Sequence, residues 1–190
     1  RDPQSDQANE KGEREFVLTL FEELGLEELP YFVRLTRHLD NKGVSVPAPF
    51  KDQDGKTMKQ LCGRGALLLP KFEGEQLSIP SVEACAQLGE MLGRFHVEAR
   101  YFPLMREAHR GYHWWNQECP RVQPSLSADD ADLLAQEVAL YSGLRAQGLK
   151  LPQGTIHGDL FVDNALFVDG QLNGIIDLYN ASTDYLLFDL

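Results

Sequence analysis

The sequence predicts an α+β protein of two lobes, a small mixed strand-and-helix lobe followed by a mainly helical one. Three observations carry this. Strand and helix signals mix up to about residue 70, and helical spacing then takes over. A hairpin signal, Asp169-Gly170, returns only near the far end. The 190 residues, 43% hydrophobic and 25% charged, suffice for one large domain or two small lobes. The lobes are expected at 1–72 and 73–190, with the boundary near residues 70–75.

Residues 1–14, "RDPQSDQANEKGER", are polar and rich in turn formers, and read as a loop or frayed start. "EFVLTLFEE" alternates and is rich enough in β-branched and aromatic residues for a strand. Residues 30–42 read as a helix. Pro30 suits its first turn, and Phe32, Leu35 and Leu39 follow at three-to-four spacing. Gly43 stands where a left-handed cap belongs. "VSVPAPF" must be extended because of its prolines, "DQDG" is a turn, and "GALLLPKFEG" begins as an apolar strand ending near Pro70.

Ser81 can cap a helix that presents Cys85, Leu88, Leu92 and Phe95 on one face and runs to about Arg100. Residues 101–126, with their prolines and the pair Trp114–Trp115, give no clear element. Ser127 with Asp130 resembles a capping box. It opens a helix to about Ala146 with Leu134, Val138 and Tyr141 inward. Ala165–Val168 and Leu172–Ile176 are the two arms of the hairpin.

The formal net charge of -11 and pI of about 4.8 oppose binding to nucleic acid or anionic membranes, and no lysine or arginine cluster offsets them. Cys62, Cys85 and Cys119 form no CxxC pair, so they suggest neither a zinc site nor a disulfide framework, and they fit a reducing cytoplasm. No apolar run approaches the roughly 20 residues of a membrane span. The chain starts at Arg1 and stops inside the apolar "YLLFDL". Both ends are expected to continue in something longer.

The chemistry concentrates in "HGDLFVDNALFVDGQLNGIID", His157 to Asp177. Folding the two apolar runs about Asp169-Gly170 brings position 164 opposite 175 or 176. Asn164 and Asp177 then meet at the open end, with Asp159 just outside. An Asp carboxylate beside an Asn carbonyl suits Mg²⁺, which takes few protein ligands and completes its shell with water and phosphate. A second carboxylate, Asp159, can orient a hydroxyl and accept its proton. That is the kit for phosphoryl transfer. His157 alone reads as a buried, hydrogen-bonded structural histidine, and Asp and Asn also favour loops for local reasons. The conjunction of motif, hairpin and closing Asp is what points to chemistry.

The kinase loop H-R-D-L-x-x-x-N, followed by the Asp of D-F-G, is matched by His157, Asp159, Leu160, Asn164 and Asp177. Gly158 replaces the Arg, which argues for a small-molecule kinase. At these residues the sequence resembles the aminoglycoside phosphotransferase and choline kinase superfamily, whose folds are protein-kinase-like. Within it, "EFVLTLFEE", "VPAPF", "LGRFH", "RGYHWW" and "IIDLYNASTDYLLFDL" are similar, in order, to segments of the homoserine kinases. The resemblance implies ATP as donor and L-homoserine as acceptor, feeding threonine synthesis. Another small amino alcohol (an aminoglycoside, choline) or a nucleotide-binding pseudokinase are the alternatives.

The resemblance makes Asp159 the base, and Asn164 and Asp177 the Mg²⁺ ligands. It makes "LLLPKFEG" the linker against which adenine docks, with Leu69 beside it, the Pro70 carbonyl accepting from the amino group and the Phe72 amide donating to the ring. Leu67–Phe72 reads equally as a core strand. Trp114, Trp115, Tyr179 and Asp184 are candidates for the acceptor pocket, although the tryptophans also fit core packing and Asp184 local capping. Asp189 is expected to be structural. Three departures stand out. Thr19 falls where the phosphate-binding lysine is expected, Val162 replaces an expected arginine, and no glycine-rich loop precedes residue 16.

Overall fold

The computed structural model of the chain describes residues 15–190. The polar start read at residues 1–14 lies outside them.

Strand β1 (Phe16–Phe21) is followed by helix α1 (Leu29–Asn41), then by β2 (Met58–Leu61) and β3 (Arg64–Pro70). The three strands form one antiparallel sheet in the order β1-β3-β2, with Phe16 opposite Pro70 and Leu61 opposite Arg64. The sequence reading missed β2. Its turn is Cys62-Gly63, both left-handed, at φ 51° and 77°. That is two-residue hairpin geometry, carried by a dipeptide outside the usual turn pairs.

Helix α1 has proline in its first turn and lays Phe32, Leu35 and Leu39 into the core at 1% exposure or less. Residues 44–50 run extended behind it. Val44, Val46 and Ala48 alternate inward, Phe50 N donates to Leu68 O, and Ile175 N donates to Ser45 O. This segment therefore ties the first sheet to the distant hairpin.

Helix α2 (Val82–Ala99) is capped as expected, Ser81 accepting from Ala84 N at 3.1 Å. Its inward face corrects the sequence reading at one position. Ala84, Leu92, Phe95 and Ala99 are buried, whereas Cys85 is exposed. The uncertain stretch holds α3 (Tyr112–Val122), which tolerates Pro120 near its end, and a short 3-10 turn at Gln123–Ser125. Helix α4 (Ala128–Ala146) opens on the expected box, with Ser127 Oγ accepting from Asp130 N and donating to the Asp130 carboxylate. Leu134, Val138 and Tyr141 are only partly buried, and no residue of α4 is fully buried.

Four short strands finish the chain. β5 (Ala165–Val168) and β6 (Gln171–Ile175) are the expected hairpin, while β4 (Gln153–Ile156) pairs antiparallel with β7 (Ser182–Tyr185). The largest core joins α1, residues 44–46, α2 and the end of β6 through Phe32, Leu35, Val44, Phe95 and Ile175. Each such side chain contributes about 1.5–3 kcal/mol by leaving water. No described helix is long and apolar enough to cross a membrane.

Candidate active site

The hairpin turn has the left-handed pair Asp169 and Gly170, φ 50° and 76°, as its dipeptide requires. The register places Ala165 opposite Ile175, and Ile176 N donates to Asn164 O at 2.9 Å. The open end therefore forms as expected, with Asn164 and Asp177 following directly on paired backbone.

A second set of ties fixes the loop that enters it. His157 is fully buried, and its Nε2 lies 3.0 Å from Ile176 O. A carbonyl only accepts, so the proton sits on Nε2. Nδ1 then has no partner, and burial holds the ring's pKa below its ordinary value. This is a structural histidine pinning the residue before Asp177. The Asp189 carboxylate accepts from His157 N at 2.9 Å, Gly158 N at 2.8 Å and His96 Nε2 at 2.7 Å. Asp189 is thus structural, and it anchors the loop from 31 or 32 residues away in sequence.

Gly158 has φ 78°, and a Cβ there would lie 2.8 Å from Asn180 O. The kinase-loop arginine is therefore not merely absent. No side chain fits at that position without moving Asn180.

Asp159 follows. The Nδ2 of the buried Asn164 donates to the Asp159 backbone carbonyl at 2.7 Å, which leaves its side-chain oxygen to act as an acceptor. Asn180 Nδ2 donates to Asp159 Oδ2 at 3.1 Å, leaving Oδ1 for a further partner. Asn180 was not singled out in the sequence, since no spacing rule links it to position 159.

Asp177 is left-handed, at φ 61° and ψ 55°, and its side chain opens to the cleft. Partial burial, then the negative charge of Asp159, raises its pKa, and Asp163 adds to the rise. Among the described residues no lysine or arginine pairs with Asp159, Asp163 or Asp177. The field here is negative and uncompensated, which suits a cation. No three His, Cys, Asp or Glu side chains among the described residues form a metal cage. Mg²⁺ requires none, because it leans on one or two protein oxygens plus phosphate and water.

The cleft at Asp177 measures ≈ 360 Å³. That is within the usual range for small-molecule sites. Val17 and Leu69 line one side and Leu166 and Ile176 another, with Pro70 and Phe72 also in the wall. Apolar residues flanking a slot suit a flat ring. Thr19 lines it too, and the buried Tyr179 hydroxyl, whose pKa burial pushes up, bonds to Thr19. Lys71 reaches the wall but pairs with Glu15 at 3.0 Å.

Of the acceptor candidates, Tyr179 lines this cleft and the others are placed elsewhere. Tyr179 packs edge-on between Phe21 and Phe32. Trp114 and Trp115 line a separate cavity between α3 and α4, where Trp115 stacks on Phe188 and meets Tyr141. Asp184 is held by Arg145 at 3.2 Å, whose guanidinium also lies over Tyr112 and Tyr185. The structure brings none of Trp114, Trp115 and Asp184 to the cleft at Asp177.

Comparison with known proteins gives the family and the fold. Residues 6–190 match the model of the phosphotransferase enzyme family. The homoserine kinase of Neisseria meningitidis serogroup B is 44% identical over 176 residues, 92% of this chain and 57% of that protein. That of Janthinobacterium sp. is 39% identical over 178 residues, 93% of this chain and 55% of the protein. The chain thus spans a little over half the length of these relatives. Among solved structures, amicoumacin kinase hAmiN in complex with AMP-PNP, Ca²⁺ and Ami superposes at TM-score 0.73 and 18% identity, over 96% of this chain and 57% of that one. Aminoglycoside phosphotransferase APH(3'')-Id from Streptomyces rimosus, with ADP and streptomycin, gives 0.69 at 19%, over 95% and 70%. These likenesses show the two-lobe, protein-kinase-like fold.

Proposed function

The chain belongs to the phosphotransferase enzyme family, and on that premise we propose that it carries the catalytic centre of an ATP-dependent kinase acting on the hydroxyl of L-homoserine. The observation that carries the reaction class is the meeting of Asp159, Asn164 and Asp177 at one end of a hairpin, beside an apolar slot. The acceptor rests on the curated relatives, each named homoserine kinase.

The residues take these roles. Leu69, Pro70 and Phe72 hold the adenine, with Val17 and Leu166 against its faces. The lobes divide at Phe72. Asn164 and Asp177 hold Mg²⁺, which when bound neutralises charge on the β- and γ-phosphates. Asn180 orients Asp159, whose free oxygen accepts the hydroxyl proton as the acceptor oxygen bonds to the γ-phosphorus and the bond from that phosphorus to the β–γ bridging oxygen breaks, releasing ADP. Asp189 and His157 keep that loop in place. The free thiols of Cys62, Cys85 and Cys119 support a reducing, cytoplasmic setting for this reaction.

The test is ADP release by the full-length protein with Mg-ATP against a panel of alcohols. Homoserine is expected to give the highest kcat/KM. A panel led by choline or an aminoglycoside would move the acceptor to that class. Nucleotide binding with no turnover on any alcohol would make the protein a pseudokinase.

A further inference from the structure

A second cleft, ≈ 390 Å³, opens on the other side of Tyr179. It shares only Thr19 and Tyr179 with the apolar slot. Its charged lining is Glu22, Glu23, His109 and Arg110, and Asn180 completes one wall. Asn180 is also the donor to Asp159 Oδ2. A molecule in this cleft therefore lies one side chain away from the proposed base.

We propose that Arg110 binds the carboxylate of an α-amino-acid acceptor in this cleft. The proposal rests on the reading of Asp159 as the base of a homoserine kinase. The neighbouring arginines are already committed. Arg106 pairs with Glu28 at 2.8 Å and lies over the Phe32 ring, and Arg64 pairs with Glu22 at 2.7 Å. Among the described residues Arg110 is held only by Glu23, at 3.6 Å, with side chains 63% and 82% exposed. An exposed pair of this kind is worth little, so Arg110 can exchange Glu23 for a ligand carboxylate at small cost. A guanidinium also matches a carboxylate in two-point geometry.

The mixture of signs decides which anion. Thr19 stands where a lysine would serve the nucleotide phosphates, and Arg110 near it suggests a substitute. A polyphosphate, however, would face Glu22 and Glu23 across the same space and be repelled. A zwitterion gains from both signs, its carboxylate on Arg110 and its ammonium beside Glu23, which is released from that pair. An amino alcohol without a carboxylate would use only the acidic half of the cleft.

The experiment compares wild type, Arg110→Ala and Arg110→Lys in the full-length protein, with L-homoserine and with 3-aminopropan-1-ol, which lacks the carboxylate. Arg110→Ala is expected to raise the homoserine KM roughly 10–100-fold, the worth of a charged hydrogen-bonded contact, with a smaller change in kcat. The preference for homoserine over 3-aminopropan-1-ol should fall by the same factor. Arg110→Lys should lie between. An unchanged homoserine KM would overturn the proposal, as would an equal loss on both alcohols. A KM rise for ATP that matches or exceeds the one for homoserine would transfer Arg110 to the phosphates. Failure of the wild type to phosphorylate homoserine would instead remove the functional reading beneath it, an outcome seen before any variant is measured.

Discussion

Around the hairpin, Phe95, Ile156, His157, Ile175 and Ala181 are each 1% exposed or less, whereas α4 fully buries none of its 19 residues. Leu133, Leu140 and Leu144 on α4 are 58%, 59% and 41% exposed. The two regions also differ in how they are tied. The hairpin loop is pinned by residues 96, 176, 180 and 189. Helix α4 meets its surroundings mainly through α3 and the aromatic contacts of Tyr141. Where carboxylates are held close together against their mutual repulsion, packed apolar residues and buried hydrogen bonds fix the backbone that carries them. Helix α4 keeps its cap with little of its surface enclosed by the described residues.

The largest expected effect removes the chemistry and leaves the packing. Asp159→Asn keeps the shape, and its amide can still meet Asn180. Turnover should drop by roughly 10²–10⁴-fold, the usual worth of a positioned base, with nucleotide affinity nearly intact by calorimetry. Turnover close to wild type would take Asp159 out of the mechanism.

The contrast in packing is tested next. Phe95→Ala should cost about 3–5 kcal/mol in urea unfolding, because its ring is wholly enclosed. Leu134→Ala on α4 removes a half-buried side chain and should cost only about 1 kcal/mol. Equal losses would mean that the two regions are held alike.

The same contrast bears on what the sequence revealed. Helix α4 was readable to within a residue at each end, because Ser127 and Asp130 are adjacent and their cap is local. The hairpin was readable because Asp169-Gly170 marks the turn, and a register shift between Leu166 and Phe167 then puts Asn164 beside Ile176, the second of the two partners expected. What escaped was non-local. β4 and β7 are four-residue strands whose pairing spans about thirty positions, and neither alternates strongly enough to be seen alone. Asn180 and Asp189 act on the 157–159 loop from over twenty residues away. Asp189 was rightly expected to be structural, but nothing local revealed what it holds. Leu88, Leu92 and Phe95 face inward as expected, but in the first turn the small Ala84 takes the buried place given to Cys85.

Two glycines sharpen the comparison at smaller cost. Gly158→Ala forces a side chain into the left-handed region and against Asn180 O, at about 1–3 kcal/mol. The melting temperature should fall by about 3–10 °C, and kcat should fall with it, since Asn180 supports Asp159. Gly143→Ala lies in α4, where a Cβ meets nothing within 4 Å. It should stabilise by roughly 0.5–1 kcal/mol through helix propensity. A destabilised Gly143→Ala would show that α4 is packed more closely than its exposure indicates.

The smallest effect is a pH dependence confined to the hairpin. Burial lowers the His157 pKa below 6.5, so between that folded value and 6.5 the unfolded chain binds more protons than the folded one. Its contribution is full above 6.5 and is lost as pH falls through that window. Asp177 acts with the opposite sign. Its pKa is raised above 3.8 by partial burial and by Asp159, so the folded chain holds the extra proton. Stability from this group is present at low pH and declines as pH rises from 3.8 through the folded value. Asp177→Asn removes the second effect and leaves the first. The variant's melting temperature should therefore gain on wild type as pH rises through that range, with the acid-side loss from His157 still visible. Mg²⁺ with nucleotide should close the gap from the other direction, by stabilising wild type more than the variant. If the two melting curves run parallel across the carboxylate range, Asp177 does not carry the uncompensated charge on which the proposed Mg²⁺ site depends.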